Sequence, residues 1–94
     1  MIYVFHLLDD PAKAQLRLDV RPAHKVYLAA MAERIAFAGP LLAEDGQAML
    51  GSLLAIEFPS RDAAMDWLAD EPFTHAGLYA SVHVTAFANL WPQK

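Results

Sequence analysis

The sequence predicts a single α+β domain whose elements follow the order β-α-β-β-α-β. The chain has 94 residues, which is enough for one compact core but not for two. Short apolar runs alternate with two longer amphipathic stretches, the pattern expected when strands alternate with helices. Gly-, Pro- and Asp-containing turns separate these segments.

The first strand is predicted at Ile2–Leu8, because this run is apolar on both of its alternating faces. Such a strand is covered on both sides by other parts of the protein. Asp9, Asp10 and Pro11 end the run. We expect Ala12–Asp19 to be a loop with at most one helical turn.

The first helix is predicted to begin near Pro22, since proline suits the first turn of a helix. An apolar stripe follows at His24, Leu28, Met31 and Ile35, with the spacing i, i+4, i+7 and i+11. This spacing predicts an amphipathic helix of about fifteen residues. It puts His24 on the core-facing side close to the helix N-terminus, where the helix dipole favours a neutral imidazole.

The middle of the chain predicts two strands. Gly39-Pro40 and Glu44-Asp45-Gly46 bracket a short second strand. A third strand opens at Gly51 and continues through Ser52–Phe58, where apolar residues dominate both faces. We expect this third strand to be central in the sheet.

The remaining elements are a second helix and a last strand. Ser60 is a predicted N-cap, and Pro72 ends the helix. The stripe between them consists of Ala64, Trp67, Leu68 and Glu71. A last strand is predicted at Val82–Phe87, where the residue types alternate.

This element order in a short chain implies the ferredoxin-like arrangement, a four-stranded antiparallel sheet with two helices on one face. The other face of the sheet then has no cover within one chain. Hydrophobic residues make up 56% of the sequence, which is rich for a small domain. We therefore expect a homodimer in which two sheets pack face to face, a dimeric α/β barrel.

Charge and composition exclude several classes of partner. The net charge of −4 and the lack of a basic run argue against nucleic acid. With no cysteine, the chain has no thiolate nucleophile or disulfide. No apolar stretch approaches the roughly 20 residues that span a bilayer, and Met1–Leu8 lacks the basic start of a signal peptide. We expect a cytoplasmic protein with no membrane partner.

Metals and cofactors are not predicted either. His6, His75 and His83 form no i, i+4 histidine pair and no His-Glu-x-x-His motif. The glycines mark turns instead of clustering before a helix as a phosphate loop does. We expect no metal site and no cofactor.

His24 and Glu71 are the two residues whose positions call for an explanation. A histidine can act as acid or base near neutral pH, although a histidine on an apolar stripe is often only a hydrogen-bonded core residue. A carboxylate on an apolar stripe loses hydration unless it is paired, or it turns out to solvent at the helix end. Because the two helices lie side by side on the sheet, a contact between His24 and Glu71 is geometrically plausible.

The chain resembles the YCII-related family almost from end to end. The resemblance rests on a set of short motifs in a fixed order: Arg17, Arg21-Pro22-Ala23-His24, Gly39-Pro40, Gly46, Gly51-Ser52, Glu71-Pro72-Phe73 and Ala76-Gly77. It implies a ferredoxin-like dimer with a pocket that holds a His–Asp pair. It also implies that the family's histidine is His24 and that its Asp-Pro aspartate falls at Glu71, where this sequence has a side chain longer by one methylene.

Three further residues are predicted to contact a substrate. Arg21, together with Arg17, could bind an anionic group, although surface ion pairs with Asp9, Asp10 or Asp19 would explain both arginines as well. Ser52 is a candidate donor in the pocket. Phe73 is a candidate wall for an aromatic ligand, although such residues are more often core.

Two functions follow as hypotheses. In the first, the protein is a cofactor-independent small-molecule enzyme of the YCII-related type, in which His24 is the general acid or base and Glu71 orients it. Elimination, isomerisation or hydrolysis of a small cyclic or aromatic compound fits this pair. In the second, the same pocket belongs to a non-catalytic metabolite-binding or accessory dimer.

Overall fold

The computed structural model describes residues 1–93 and contains the predicted β-α-β-β-α-β order. The strands are β1 (Ile2–Asp9), β2 (Ile35–Leu42), β3 (Met49–Glu57) and β4 (Tyr79–Phe87); the helices are α1 (Ala14–Ala29), α2 (Arg61–Ala69) and α3 (Pro72–Ala76). Short 3-10 turns precede α1 and β2. The second predicted helix is therefore divided into α2 and α3.

The four strands form one antiparallel sheet in the order β2-β3-β1-β4, which is the ferredoxin-like topology predicted from the sequence. Phe5 in β1 lies opposite Leu54 in β3 on one side and opposite Val84 in β4 on the other. All three side chains point to the helix-covered face and are buried. The core continues on this face through Tyr3, Leu7, Ile56, Phe58, Ala64 and Leu68.

The predicted bounds of the first helix are wrong. α1 begins at Ala14 and ends at Ala29, and Pro22 lies inside it. Proline removes one hydrogen-bond donor from the helix and crowds the carbonyl four residues earlier, which belongs to Leu18. Because Leu18 is 53% exposed, water can reach this turn. Ile35, assigned to the helix by its spacing, is the first residue of β2.

The second strand is also longer than predicted. Gly39 and Pro40 lie within β2 instead of before it. β2 is an edge strand, and an edge strand tolerates proline because one side of its backbone needs no partner. The turn after β2 contains Gly46 at a φ of 72°, and the Asp45 carboxylate accepts hydrogen bonds from the backbone N–H groups of residues 47 and 48.

The end of the second predicted helix has a different structure from the one expected. Ser60 caps α2 as predicted, and its hydroxyl accepts a hydrogen bond from the Ala63 N–H at 3.1 Å. α2 ends at Ala69, however, and Glu71 adopts an extended conformation before α3. Pro72 explains this bend, because proline disfavours the helical conformation in the preceding residue. Glu71 is fully buried, so the solvated alternative for this residue is wrong.

The second face of the sheet carries no helix from the described residues 1–93. Val4, His6 and Leu8 of β1 point to this open face, and Phe37 and Leu53 lie in the same cross-strand rows as Val4 and His6. Leu8 and Phe37 are 37% and 41% exposed, so apolar side chains remain uncovered in the isolated chain. No helix in residues 1–93 is both long and apolar enough to cross a membrane.

Candidate functional site

His24 and Glu71 meet in the interior, as the sequence predicts. His24 lies on α1 and Glu71 at the bend before α3, and these two helices pack against each other. The Nδ1 atom of His24 is hydrogen-bonded to Oε1 of Glu71. Since a carboxylate only accepts hydrogen bonds, we assign the proton of this bond to Nδ1 of His24. The pair fixes both the tautomer and the orientation of the imidazole.

Tyr79, at the start of β4, is a third member that sequence reasoning missed. Its hydroxyl donates a hydrogen bond to Oε2 of Glu71 at 3.0 Å. Both oxygens of the buried carboxylate therefore have a donor. Burial raises the pKa of Tyr79 far above its usual value, and the neighbouring charge of Glu71 raises that pKa further. The phenol thus stays neutral and remains a donor over the whole physiological pH range.

The second ring nitrogen of His24 is open to solvent. Nε2 has no hydrogen-bond partner within residues 1–93, and the one fully enclosed side-chain polar atom there without a partner is Oγ1 of Thr74. His24 as a whole is only 6% exposed, and its ring stacks on Phe73 with centroids 4.2 Å apart. In a neutral imidazole of this tautomer, Nε2 carries the lone pair. The arrangement presents one proton acceptor at the surface of an otherwise enclosed ring.

The position of His24 corrects the argument from the helix dipole. α1 begins at Ala14, so His24 lies in the third turn and not in the first. The dipole acts within about one turn of a helix end. The helix terminus therefore does not act on His24, and contact with Glu71 fixes the tautomer of the imidazole.

Arg17 lies beside the same site, and its guanidinium contacts Asp9, Ser52 and Phe73. Its Nε and Nη2 atoms donate to the Asp9 carboxylate at 2.5 and 3.0 Å. Nη2 also donates to the Ser52 hydroxyl at 2.9 Å, and the guanidinium lies 4.6 Å from the Phe73 ring centroid. Arg17 is 3% exposed, so its pairing with Asp9 is a buried one and not the surface contact that the sequence allowed.

A cavity of about 200 Å³ lies beside His24, between α1 and the strands β2 and β3. Arg21 and Ser52, which the sequence predicts to contact a substrate, line it together with His24 and Arg17. Lys25 also lines it and was not singled out from the sequence. Phe73 does not line this cavity; it is fully buried and supports the His24 ring from behind.

The other depressions and side-chain clusters are weaker candidates for a functional site. A larger depression of about 650 Å³ lies near Met1, Glu33 and Arg34, but neither His24 nor Glu71 reaches it. Within residues 1–93, no cluster of three or more histidine and acidic side chains is close enough to hold a metal ion. The cavity beside His24 is therefore the candidate site.

Fold and site together define a ferredoxin-like domain with a buried histidine–carboxylate pair at a small cavity. The YCII-related domain matches residues 1–88, and the chain belongs to that family. Protein YciI of Escherichia coli O6:H1 (strain CFT073) is 34% identical over 98 residues, covering 97% of this chain and 100% of YciI. An uncharacterized protein of Haemophilus influenzae has the same identity and coverage.

A solved structure shares both the fold and a comparable level of identity. It is the 5-chloro-2-hydroxyhydroquinone dehydrochlorinase TftG from Burkholderia phenoliruptrix AC1100, in complex with 2,5-dihydroxybenzoquinone. Its TM-score with this chain is 0.87 at 32% sequence identity, and the match covers 94% of each chain. The similarity links this chain to a small-molecule enzyme of the YCII type.

Proposed function

We propose that the protein is a cytoplasmic, cofactor-independent enzyme that moves protons on a small cyclic or aromatic compound. His24 is the general acid and base, and Glu71 orients it. One observation carries this proposal: Nδ1 of His24 is tied to a fully buried carboxylate, whereas Nε2 remains open beside the cavity. A base held in one tautomer with its lone pair free is suited to proton abstraction.

Elimination is the reaction that the similarity to a dehydrochlorinase favours. Loss of HCl from a chlorinated hydroxyhydroquinone removes two hydroxyl protons and delivers one proton to the carbon that bears chlorine. Chloride then leaves with the electron pair of the C–Cl bond, and the ring becomes a quinone. Every proton in this sequence can pass through one imidazole nitrogen, because Nε2 of His24 can accept a proton and return it.

The exchange of the family's aspartate for Glu71 is compatible with this role. The longer side chain reaches Nδ1 of His24 with Oε1 and leaves Oε2 to accept from the Tyr79 hydroxyl. A carboxylate with both oxygens bonded is held in one position, which is what a residue that orients a base requires. Tyr79 is the positioning residue for Glu71 in this proposal.

The direct test is chloride release from 5-chloro-2-hydroxyhydroquinone under anaerobic conditions. We expect the wild-type protein to release chloride and His24→Gln to be slower by about 100-fold or more, the usual contribution of a positioned acid or base. His75→Gln is the matched control, because His75 is a histidine whose side chain is 67% exposed. We expect it to retain wild-type activity.

Two results would contradict the proposal. Equal rates for wild type and His24→Gln would remove His24 from the reaction. Tight binding of 2,5-dihydroxybenzoquinone without turnover of any tested substrate would favour the second hypothesis, a metabolite-binding or accessory protein that uses the same cavity.

We further propose that two copies of the chain pair through the open face of the sheet. Four strands of eight or nine residues cover a flat area of about 500 Å², so two copies would bury about 1,000 Å², the lower bound for a specific interface. Phe37 and Phe87 approach each other at 6.3 Å between ring centroids. Both are about 40% exposed, which leaves apolar surface for a second copy to cover.

A further inference from the structure

Three cations lie on one stripe of α1, and all three face the candidate cavity. Arg17, Arg21 and Lys25 have the spacing i, i+4 and i+8 and line the cavity together with His24. Like charges four residues apart on a helix repel each other and destabilise it. The helix therefore tolerates an unfavourable arrangement at the place where the open nitrogen of His24 lies.

Within residues 1–93, only the first of these charges is compensated. Arg17 is paired with Asp9, whereas Arg21 and Lys25 form no ion pair with a carboxylate in residues 1–93. No Asp or Glu lines the cavity. This cationic wall occurs in a chain whose net charge is −4, so the local charge opposes that of the whole molecule. An anion is the ligand that would neutralise this local positive charge.

The volume limits the size of this anion. The cavity of about 200 Å³ is somewhat larger than the roughly 150 Å³ that accommodates a benzene molecule. One substituted six-membered ring fits inside the cavity, and a larger ligand would extend out of it. Leu28 and Leu54 give the cavity apolar walls that suit a ring, so the cations and His24 supply the polar contacts.

We propose that the substrate is a single-ring organic anion whose negative oxygen is bound by Arg21 and Lys25 while its reacting group lies against Nε2 of His24. This inference rests on the proposed function, since it takes the cavity to be the substrate site. The two cations would also stabilise the negative charge that develops on the ring when Nε2 removes a proton. Arg21 and Lys25 thus act in binding and in the reaction.

Two pairs of probes separate charge from shape. 2,5-Dihydroxybenzoquinone is a vinylogous acid that is ionised at neutral pH, and 2,5-dimethoxybenzoquinone is its neutral counterpart. 2,5-Dihydroxybenzoate and its methyl ester form the second pair. We expect calorimetric titration of the wild-type protein to show at least about tenfold tighter binding of one anion than of its neutral counterpart.

Variants locate the charge that is responsible. We expect Arg21→Gln and Lys25→Gln each to weaken anion binding about tenfold, because a charge-assisted contact is lost, and to leave binding of the neutral probe unchanged. Arg34→Gln is the matched control: it removes the same charge from a residue outside the cavity. It should change anion binding less than about twofold, because solvent and salt screen distant charges.

Three results would overturn the inference. They are failure of both anions to bind at millimolar concentration, equal affinity for anion and neutral counterpart, and an unchanged affinity in both cavity variants. None of them depends on turnover, so they are distinct from failure of the proposed function. Chloride release that depends on His24 but shows no preference for anions would refute this inference alone, whereas selective anion binding without any proton transfer would refute the proposed function alone.

Discussion

Replacement of Glu71 is the strongest test of the buried network formed by His24, Glu71 and Tyr79, because the Glu71 carboxylate is fully buried and accepts hydrogen bonds from both neighbours. Glu71→Ala would leave the Nδ1 proton of His24 and the Tyr79 hydroxyl without an acceptor. Each buried group left unsatisfied costs about 1–3 kcal/mol, so the variant should lose about 2–6 kcal/mol of its free energy of unfolding. A domain of this size has about 5–14 kcal/mol in total, and Glu71→Ala should be close to the limit of folding.

Glu71→Gln keeps the shape and separates function from stability. The amide can accept from only one of the two donors through its oxygen, so the expected loss is about 1–3 kcal/mol. If the amide nitrogen faces His24, it donates to Nδ1 and moves the imidazole proton to Nε2. The open nitrogen then has no lone pair, and activity is lost in a folded protein.

Urea denaturation monitored by circular dichroism measures both variants. The control is Glu33→Gln, which removes a carboxylate from an exposed position and should change the free energy of unfolding by less than about 0.5 kcal/mol. A Glu71→Ala variant as stable as the wild type would refute the account of the network, because the two buried donors would then have no need of Glu71.

Three further predictions follow from the same structure. The pKa of Tyr79 is raised in the folded state above its ordinary value of 10.0. Its contribution to stability is therefore complete below about pH 10 and is lost at higher pH, by up to about 1.4 kcal/mol per pH unit. Tyr79→Phe should reduce this alkaline loss in pH-dependent melts, and an unchanged dependence of stability on pH would contradict the prediction. Glu71→Asp should lower the rate of chloride release in a site adapted to Glu71, and a faster variant would mean that the site is degenerate. Sedimentation of the wild-type protein should give twice the 10.4 kDa mass of one chain. Leu53→Glu on the open face should produce monomers, whereas Val26→Glu, at an exposed helix position, should remain dimeric. A wild-type monomer at micromolar concentration would exclude the dimer.

The strands could be predicted from the sequence because a period of two determines which side chains face the core. Phe5, Leu54 and Val84 each lie within a predicted strand and meet in one row. The start of α1 could not be predicted in the same way. Continuing the stripe of His24 backwards leads to Val20 and Arg17, and a charged residue there indicates a solvated loop. Only the tertiary structure shows that Asp9 and Ser52 make the burial of Arg17 possible.

The candidate site, too, could be predicted from the sequence only in part. The pairing of His24 with Glu71 could be predicted from adjacent helices, but the bend that directs Glu71 inward depends on the local effect of Pro72. Tyr79 belongs to none of the motifs and precedes the predicted strand, so nothing in its local sequence indicated a bond to Glu71. Lys25 could not be singled out from the sequence, because the cavity that it lines is completed by β2, which is adjacent only in the folded chain.

The central claim is that Nδ1 of His24 carries the proton and that Nε2 carries the free lone pair. Nitrogen-15 NMR of the imidazole, recorded at a pH where titration shows the ring to be neutral, assigns the tautomer directly. We predict a pyrrole-type signal for Nδ1 and a pyridine-type signal for Nε2 that shifts when 2,5-dihydroxybenzoquinone is added. A pyridine-type Nδ1, or an Nε2 signal that does not respond to the ligand, would contradict the account.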